Sequence, residues 1–244
     1  MPLLPGAEPF AHDDGPVGAL LLHGFAGSPA DLRPLALHLA DRGASVLLPR
    51  LPGHGTSWQD LAVCRWDDFH TEADRALSDL RSRCSTVVVV GQGVGAALAL
   101  RLAELRPADV DGLALLSPAL ELRRPSRASA VVAPWASTRA AAGSAAYDRI
   151  PLRTFRSVAH DGWDPVRADI ARVVAPVLLV RAADDRVVPA ASGDWLLAHL
   201  PTPDVTALPL ETGGHLLDLG PAADQVRVAV SDFLHRVAPS ATDA

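Results

Sequence analysis

The sequence contains no lysine: all 22 basic residues of the 244-residue chain are arginine. Acidic residues outnumber them, so the formal net charge is −6 and the isoelectric point is about 5.8. Proteins that bind nucleic acids concentrate positive charge on one face. The charge balance therefore argues against a nucleic-acid partner, while the lack of lysine reflects coding bias rather than chemistry.

Cysteine is also scarce, with Cys64 and Cys84 as the two examples. Two cysteines form no disulfide framework, and they are not spaced as a C-x-x-C metal or redox pair. We expect two reduced thiols. The first residues lack the basic and apolar segments of a signal peptide.

Long hydrophobic runs are missing as well. The most apolar long window, residues 87–103, is interrupted by Gln92, three glycines and Arg101. It therefore predicts a strand followed by a helix and not a membrane span. Together with the scarce cysteines and the N-terminal sequence, this window leads us to expect a soluble, cytoplasmic protein.

Signatures of cofactor and metal binding are lacking too. No P-loop and no cluster of metal-ligand residues is present. The glycines of G-Q-G-V-G-A-A superficially resemble a dinucleotide-binding turn. A Rossmann fold, however, would require an acidic residue at the end of the next strand, and residues 112–117 have none. We expect neither a cofactor nor a metal ion.

Short apolar segments alternate with amphipathic segments along most of the chain. Apolar runs that predict strands lie at residues 18–24, 44–50, 86–91, 112–117, 175–182 and 204–210. Helical spacing of leucine, valine and alanine predicts helices over residues 28–43, 66–80, 94–105, 192–200 and 221–237. This alternation predicts an α/β fold whose mostly parallel central sheet is covered by helices on both faces.

The alternation breaks between residues 118 and 164, where the chain reads as irregular. Segments this long between strands are usually functional insertions, such as lids over an active site. No internal repeat occurs. We therefore predict a single domain over residues 1–244, with a lid insertion at residues 118–164.

One stretch, residues 86–105, has the layout of a hydrolase nucleophile elbow: a buried strand, a glycine turn and a helix. The turn of such elbows normally reads G-x-S-x-G, with the serine as nucleophile. Here it reads Gly91-Gln92-Gly93-Val94-Gly95, so Gly93 occupies the position of the serine.

Other polar groups fall at the ends of predicted strands. They are His23, Ser117, the pair Asp184 and Asp185, and the loop after residue 210. Functional groups of parallel sheets gather at the carboxyl ends of the strands. We expect these groups and the 91–95 turn to build one site.

Three motifs carry a family resemblance: H-G-F-A-G-S-P at residues 23–29, P-R-L-P-G-H-G-T at residues 49–56, and Trp66. With them, the chain resembles the α/β-hydrolase superfamily, and within it the bacterial carboxylesterase and monoacylglycerol-lipase-like group. The resemblance extends from about residue 18 to residue 237 and is weakest in the lid. It implies the α/β-hydrolase fold and a small hydrophobic or acyl-ester ligand.

The resemblance also implies roles for individual residues. The backbone N–H groups of Phe25 and Val94 would form the oxyanion hole. R-A-A-D-D-R-V-V-P matches the loop of the catalytic acid and aligns Asp185 with it. Asp184 is the near competitor for that role, and its alternative role is that of a solvated turn residue. E-T-G-G-H-L-L-D-L-G matches the histidine loop, so His215 would be the catalytic base.

No other residue is a convincing replacement nucleophile. Ser117 ends a strand at the correct edge, where we expect it to bond a backbone group. Cys64 has no evident base nearby in sequence. His54 is expected to shape a turn beside the site, and His160 to be solvated in the lid.

Three functional hypotheses remain open on the sequence. The chain is a pseudo-hydrolase that binds an acyl or other hydrophobic ligand, or an enzyme that uses Asp185 and His215 as a general base. Such a base could activate water, or promote an elimination or cyclisation. Alternatively, the chain is an ordinary carboxylic-ester hydrolase in which glycine replaces serine at position 93. We favour the first; the sequence does not indicate an oligomeric state.

Overall fold

The chain folds around one large β-sheet. The computed structural model describes residues 2–120, 135–137 and 147–238. The strands are β1 (Phe10–His12), β2 (Val17–Leu22), β3 (Ser45–Leu48), β4 (Thr86–Gln92), β5 (Gly112–Leu116), β6 (Trp135–Ser137), β7 (Arg149–Pro151), β8 (Val177–Ala182) and β9 (Val205–Leu210). Seven of them form the sheet in the order β1-β3-β2-β4-β5-β8-β9. β1 runs antiparallel to β3 and the remaining neighbours of this sheet are parallel, as the sequence predicts.

The helices connect successive strands. They are α1 (Arg33–Ala40), α2 (Trp58–Ala62), α3 (Trp66–Arg81), α4 (Val94–Leu105), α5 (Leu152–Ser157), α6 (Asp164–Asp169), α7 (Ala190–His199) and α8 (Ala223–Val237). A π-helical turn, Val158–Trp163, joins α5 to α6. Two 3-10 turns, Pro29–Asp31 and Ile170–Arg172, complete the helical structure of the described residues.

Two hydrophobic cores lie on opposite faces of the sheet. Along β4, Val87 and Val89 belong to the core that contains α3 and α4, whereas Val88 and Val90 belong to the core of α1 and α8. Side chains of a strand alternate between the two faces of the sheet. Because all four valines are fully buried, each contributes about 1.5–3 kcal/mol to stability. This double burial explains the uninterrupted apolar run at the centre of the sequence.

Some elements differ from the sequence predictions. α2 lies in a segment predicted as loop; Ser57 caps it by accepting the N–H of Asp60 at 3.2 Å. Only five residues long, α2 is too short to show a helical period. β1 was not predicted, and neither was α6, which follows the lid segment.

The prediction that residues 118–164 are irregular is wrong for residues 135–137 and 149–163 and agrees with the structure at residues 118–120 and 147–148. β7, α5 and the π-helical turn occupy residues 149–163, and β6 pairs with β7 in a separate two-stranded sheet. Residues 121–134 and 138–146 of the predicted lid lie outside the described residues. A short strand followed by a six-residue helix leaves too brief a pattern to identify from sequence.

The register of the parallel strands brings their carboxyl ends to one edge. Leu22 of β2 pairs with Gly91 of β4, and Gln92 pairs with Leu116 of β5. Ala182 of β8 pairs with Leu210 of β9. The residues that follow each strand are therefore neighbours in space.

Within residues 2–120, 135–137 and 147–238, the structure contains no helix that is long and apolar enough to cross a membrane. The same ranges hold no group of three or more histidine, cysteine, aspartate or glutamate side chains that could bind a metal ion. Cys64 and Cys84 are free thiols, of which Cys84 is buried.

Candidate active site

Gly93 lies in the tight turn between β4 and α4. Its backbone has φ +58° and ψ −114°, in the left-handed region. Its N–H donates to the carbonyl of Leu116 at 2.9 Å, and its own carbonyl accepts the N–H of Ala119 at 3.1 Å. A side chain in such a conformation costs about 1–3 kcal/mol, which glycine avoids. Gly93 therefore adopts without strain a backbone conformation that would strain any other residue.

The two outer glycines of the turn have a different role from Gly93. A Cβ at Gly91 would collide with the backbone of Gly95 and Ala96, and a Cβ at Gly95 would collide with the carbonyl of Leu22. A Cβ at Gly93 would instead lie at ordinary contact distances, 3.4 Å from Nε2 and 3.5 Å from Cε1 of His215. Gly91 and Gly95 are therefore required by packing, whereas position 93 has room for a side chain.

Asp185 and His215 are hydrogen-bonded, with Oδ2 of the acid 3.0 Å from Nδ1 of the ring. The other carboxylate oxygen accepts the backbone N–H groups of Val187 and Val188 at 2.8 and 3.0 Å. Burial opposes ionisation of Asp185. The hydrogen bond to His215, the electrostatic effect of the His215 ring and the two N–H groups together outweigh burial, so the pKa of Asp185 is lowered. An ionised acid at Nδ1 holds the ring with Nδ1 protonated, which leaves Nε2 as a proton acceptor.

This acceptor nitrogen faces the empty position of the elbow. An oxygen attached to a Cβ at residue 93 could lie within about 2.6–3.2 Å of Nε2, the distance at which a general base removes a proton. The His215 side chain is 20% exposed and that of Asp185 only 6%. The base is thus open to solvent or ligand, while the acid that orients it is shielded.

Two side chains that the sequence left without a site role hold the histidine loop. Asp184 is an exposed turn residue, as the sequence suggested, and it also accepts the N–H groups of Gly213 and Gly214 at 2.9 and 2.8 Å. Gln92, which is buried, donates from Nε2 to the carbonyl of His215 at 2.7 Å. This bond joins the elbow directly to the histidine loop, and nothing in the local sequence indicates it.

Asp218 anchors the far end of the same loop. Its fully buried carboxylate accepts the N–H of Leu35, at the start of α1, at 2.7 Å, and Nε of Arg227 at 2.6 Å. Burial raises the pKa of Asp218 to about 6 although both partners oppose the rise. The histidine loop is therefore fixed to α1, α8 and the elbow.

The segment after β2 lies beside the elbow. His23 is buried, and its Nε2 accepts the N–H of Leu51 at 3.1 Å while Nδ1 bonds the carbonyl of Gly24. Burial, with a smaller effect of His54, lowers the pKa of His23 to about 3, so the ring is neutral at pH 7. The histidine of the H-G-F motif therefore fixes the backbone that leads to Phe25.

Phe25 and Val94 were assigned to an oxyanion hole by resemblance. Phe25 follows β2 by three residues, and its half-buried ring lies 6.0 Å from Phe155 and 6.5 Å from Phe69. Val94 is the first residue of α4, so its N–H has no carbonyl partner within the helix. Val94 follows Gly93 directly, and Gly24, the residue before Phe25, lies 4.0 Å from where a Cβ of residue 93 would be.

Ser117 does not make the side-chain bond expected of it. Its backbone N–H donates to the carbonyl of Val180, but its buried hydroxyl has no hydrogen-bond partner among the described residues. Its φ of +43° is in the left-handed region. The hydroxyl borders a cavity of about 280 Å³ that Asp185 and Val188 also line. Neither Gly93 nor His215 lines this cavity.

The remaining residues singled out from the sequence have other contacts. Cys64 is half-buried, with its thiol 3.4 Å from the carbonyl of Asp60. His54 is buried and bonds the carbonyl of Pro52, in keeping with a role in shaping its turn. The His160 ring is 49% exposed and lies 3.3 Å from Asp164.

Comparison with known proteins gives the same fold. A family model described as serine aminopeptidase S33 (Hydrolase_4) matches residues 18–151. A solved structure reported for LipS and LipT, two metagenome-derived lipolytic enzymes, has a TM-score of 0.90 and 26% identity, covering 96% of this chain and all of that one. The monoacylglycerol lipase of Paleococcus ferrophilus, at 19% identity and a TM-score of 0.77 over 95% of this chain and 100% of that chain, shares the fold.

Two characterised relatives match most of the sequence. The thermostable monoacylglycerol lipase of Bacillus sp. (strain H-257) is 32% identical over an alignment 229 residues long, which covers 89% of this chain and 90% of that protein. The carboxylesterase of Bacillus subtilis (strain 168) is 23% identical over an alignment 241 residues long, which covers 94% of this chain and 97% of that protein. The chain therefore belongs to the Hydrolase_4 family, as an α/β-hydrolase of the carboxylesterase and monoacylglycerol-lipase-like group.

Proposed function

We propose that this chain binds an acyl ester or a similar small hydrophobic ligand at the carboxyl edge of its sheet and forms no acyl-enzyme. The observation that carries the proposal is Gly93, which stands in the elbow with no side chain opposite Nε2 of His215. Acyl transfer in this fold requires an oxygen nucleophile at that position. Without it the ligand remains intact at a site that retains its other groups.

The retained groups have definite roles in this proposal. Asp185 orients His215, and the N–H groups of Phe25 and Val94 bind the carbonyl oxygen of the ligand. The half-buried ring of Phe25, packed near the buried rings of Phe69 and Phe155, offers an apolar surface for an acyl chain. We include the described part of the predicted lid, residues 147–164, in the proposal as a cover of the ligand.

The size of the expected defect supports binding over turnover. In a serine protease, loss of the nucleophile lowers turnover by about 10⁶-fold. Rate enhancement of about 10³–10⁴ over water can remain from an oxyanion hole and binding alone. On a stable ester such residual turnover is slow, so the bound ligand is not hydrolysed during the time that a binding measurement takes.

The test compares the parent chain with Gly93→Ser and Gly93→Ala on p-nitrophenyl acetate, butyrate and octanoate. The alanine variant is the matched control, because it adds the same Cβ and the same backbone strain without an oxygen. We expect strong turnover from Gly93→Ser alone. In parallel, calorimetry should show that the parent binds a medium-chain monoacylglycerol without consuming it.

Three results would contradict the proposal. One is efficient ester turnover by the parent that survives His215→Ala, since the site would then be elsewhere. Another is an inactive, well-folded Gly93→Ser, which would mean that more than the nucleophile is missing. The third is a parent that does not bind the lipid.

A second candidate function follows from the open side of His215. Its Nε2 accepts a proton and the ring is 20% exposed, so it can reach a water molecule near Gly93. The water oxygen would attack the acyl carbon while Nε2 takes its proton. As the tetrahedral intermediate collapses, the same proton passes to the departing alkoxide, which gives an acid and an alcohol.

General-base assistance of this kind contributes about 10²–10⁴-fold, which suits a reactive ester better than a simple one. Slow turnover of p-nitrophenyl acetate by the parent, lost in His215→Ala and reduced in Asp185→Asn, would favour this function. Equal background rates in the parent and His215→Ala would exclude it.

A further inference from the structure

A second cleft, separate from the site at Gly93, lies where α5 and the π-helical turn meet the start of α3. Its volume is about 440 Å³. We call it the arginine cleft; its lining residues are Arg65, Arg153, Arg156, Ser157, His160 and Asp161. Three guanidinium groups thus share one concave surface on a chain whose net charge is −6.

The three arginines are not neutralised by the residues that the structure describes. Arg65, Arg153 and Arg156 form no ion pair with any described carboxylate. The Arg65 guanidinium donates to the neutral carbonyls of Ala62 and Cys64 at 3.3 and 2.6 Å. Among the described residues, no negatively charged group bonds the guanidinium of Arg65.

The acidic groups near the cleft bond partners other than its guanidinium groups, although the charge of Asp161 offsets one of the three arginines. Asp161, the single carboxylate among the lining residues, accepts the hydroxyl of Ser157 at 2.6 Å. Asp164 lies 3.3 Å from the ring of His160, and Asp68 accepts the backbone N–H of Arg65 rather than its guanidinium. None of these contacts joins a carboxylate to a guanidinium of the cleft.

Eight other arginines of the described chain, by contrast, have a carboxylate partner. Carboxylates pair with Arg75, Arg81, Arg83, Arg101, Arg106, Arg181, Arg227 and Arg236 at hydrogen-bond distance. Three like charges that converge without such partners repel one another, and an anion bound between them would remove that cost. The arrangement is therefore that of an anion site.

The backbone that carries the cleft is well anchored. Thr154 donates its hydroxyl to the carbonyl of Leu61 at 3.0 Å, and Ser157 accepts the N–H of Trp66 at 3.1 Å. Phe155 is buried, 5.5 Å from the ring of Trp163. Because α5 is fixed on its inner side, Arg153 and Arg156 are presented from a rigid support, which lowers the entropic cost of binding.

We propose that the arginine cleft binds a phosphate group. Guanidinium groups bind phosphate oxygens through two parallel hydrogen bonds, and clusters of arginine are the usual means of recognising this anion. A soluble phosphate ester and the headgroup of an acidic phospholipid share this chemistry. The open form and the volume of the cleft admit either one.

The first experiment titrates sodium phosphate into the full-length chain by calorimetry, at ionic strength matched with chloride. It uses the parent, Arg156→Ala and Arg42→Ala. Arg42 is the matched control, an exposed arginine outside the cleft whose bonds within the described chain go to His38. We expect saturable binding that Arg156→Ala weakens about tenfold or more and Arg42→Ala leaves unchanged. Arg156→Lys should retain only part of the affinity.

Two further arms identify the source of the phosphate. One measures glycerol phosphate binding, and the other measures co-sedimentation with phosphatidylcholine vesicles with and without phosphatidate. Glycerol phosphate binding that depends on Arg156 indicates a soluble ester. Vesicle binding that requires phosphatidate and Arg156, without glycerol phosphate binding, indicates a lipid headgroup. A chain that binds none of the three probes, or whose binding falls equally in Arg42→Ala and Arg156→Ala, overturns the proposal.

Discussion

The elbow and the acid–histidine pair meet at the same edge of the sheet, yet different forces maintain them. The elbow keeps its backbone because Gly91 and Gly95 have no room for a Cβ, whatever residue occupies position 93. The pair is held by hydrogen bonds from side chains. Asp185 bonds the ring of His215, Asp184 accepts the N–H groups of the two glycines before His215, and Gln92 donates to the carbonyl of His215. The geometry of a site and its reactive atom can therefore be lost separately.

The residue at position 93 also affects the stability of the fold. A serine at position 93 would hold a strained φ of +58°, and glycine relieves that strain. Glycine at position 93 is thus neutral or favourable for folding compared with serine. The buried bonds of Gln92 and Asp218 hold the loop of His215 beside it.

The largest expected effect comes from combining the two regions in one double-mutant cycle. In the Gly93→Ser background, His215→Ala should lower ester turnover by up to about 10⁶-fold, because nucleophile and base act as a unit. In the parent background the same change should alter turnover little if the chain only binds ligand. Initial rates on p-nitrophenyl butyrate measure both. Equal losses in the two backgrounds would mean that the introduced serine and His215 do not cooperate.

The next largest effect should come from breaking the elbow by packing. Gly95→Ala places a Cβ against the carbonyl of Leu22, and we expect a loss of more than about 3 kcal/mol in the free energy of unfolding. Gly24→Ala is the control, since its Cβ would make an ordinary 3.5 Å contact with Gln92. Urea denaturation measures both. A Gly95→Ala chain as stable as Gly24→Ala would refute the packing argument.

The helix that follows the elbow should carry a pH-dependent weakness. Burial raises the pKa of Glu104 in α4 to about 7, although Arg101 opposes the rise from 2.9 Å. Because the folded pKa exceeds the unfolded value of 4.5, the folded state holds the proton more tightly, and stability falls as pH rises from about 4.5 through 7.

The Glu104→Gln variant removes this titration. Between pH 5 and pH 8, the unfolding free energy of the parent should fall by about 2–3 kcal/mol relative to the variant. Denaturation curves across that range measure the difference. Parallel pH profiles for parent and variant would show that Glu104 does not titrate there.

The smallest expected effect isolates backbone strain at the elbow. Gly93→Ala should lower the free energy of unfolding by about 1–3 kcal/mol, because its φ is positive while its Cβ meets no collision. Activity should stay at the level of the parent. Thermal and urea denaturation give the stability change. An alanine variant more stable than the parent would show that the turn relaxes to another conformation.

Much of the fold was predictable because its signals are local. The valine run of β4, the glycine turn and the helical spacing of α4 are adjacent in the chain, and the parallel sheet follows from repeated strand–helix alternation. Elements with short patterns were missed, such as α2 and α5. The role of Ser117 was predicted wrongly, because the fold buries its hydroxyl without a hydrogen-bond partner among the described residues.

The sequence by itself determined that glycine stands at the centre of the 91–95 turn, where a G-x-S-x-G elbow would carry serine, since this difference is visible in one letter. Only the tertiary structure decided that Nε2 of His215 faces that glycine and that Asp185, not Asp184, bonds the ring. It also decided that Gln92 reaches the histidine loop 123 residues away and that three arginines converge on one cleft. Such contacts join residues that are far apart in the sequence and become neighbours only when the strands and loops pack together, so the spacing of residues along the chain does not predict them.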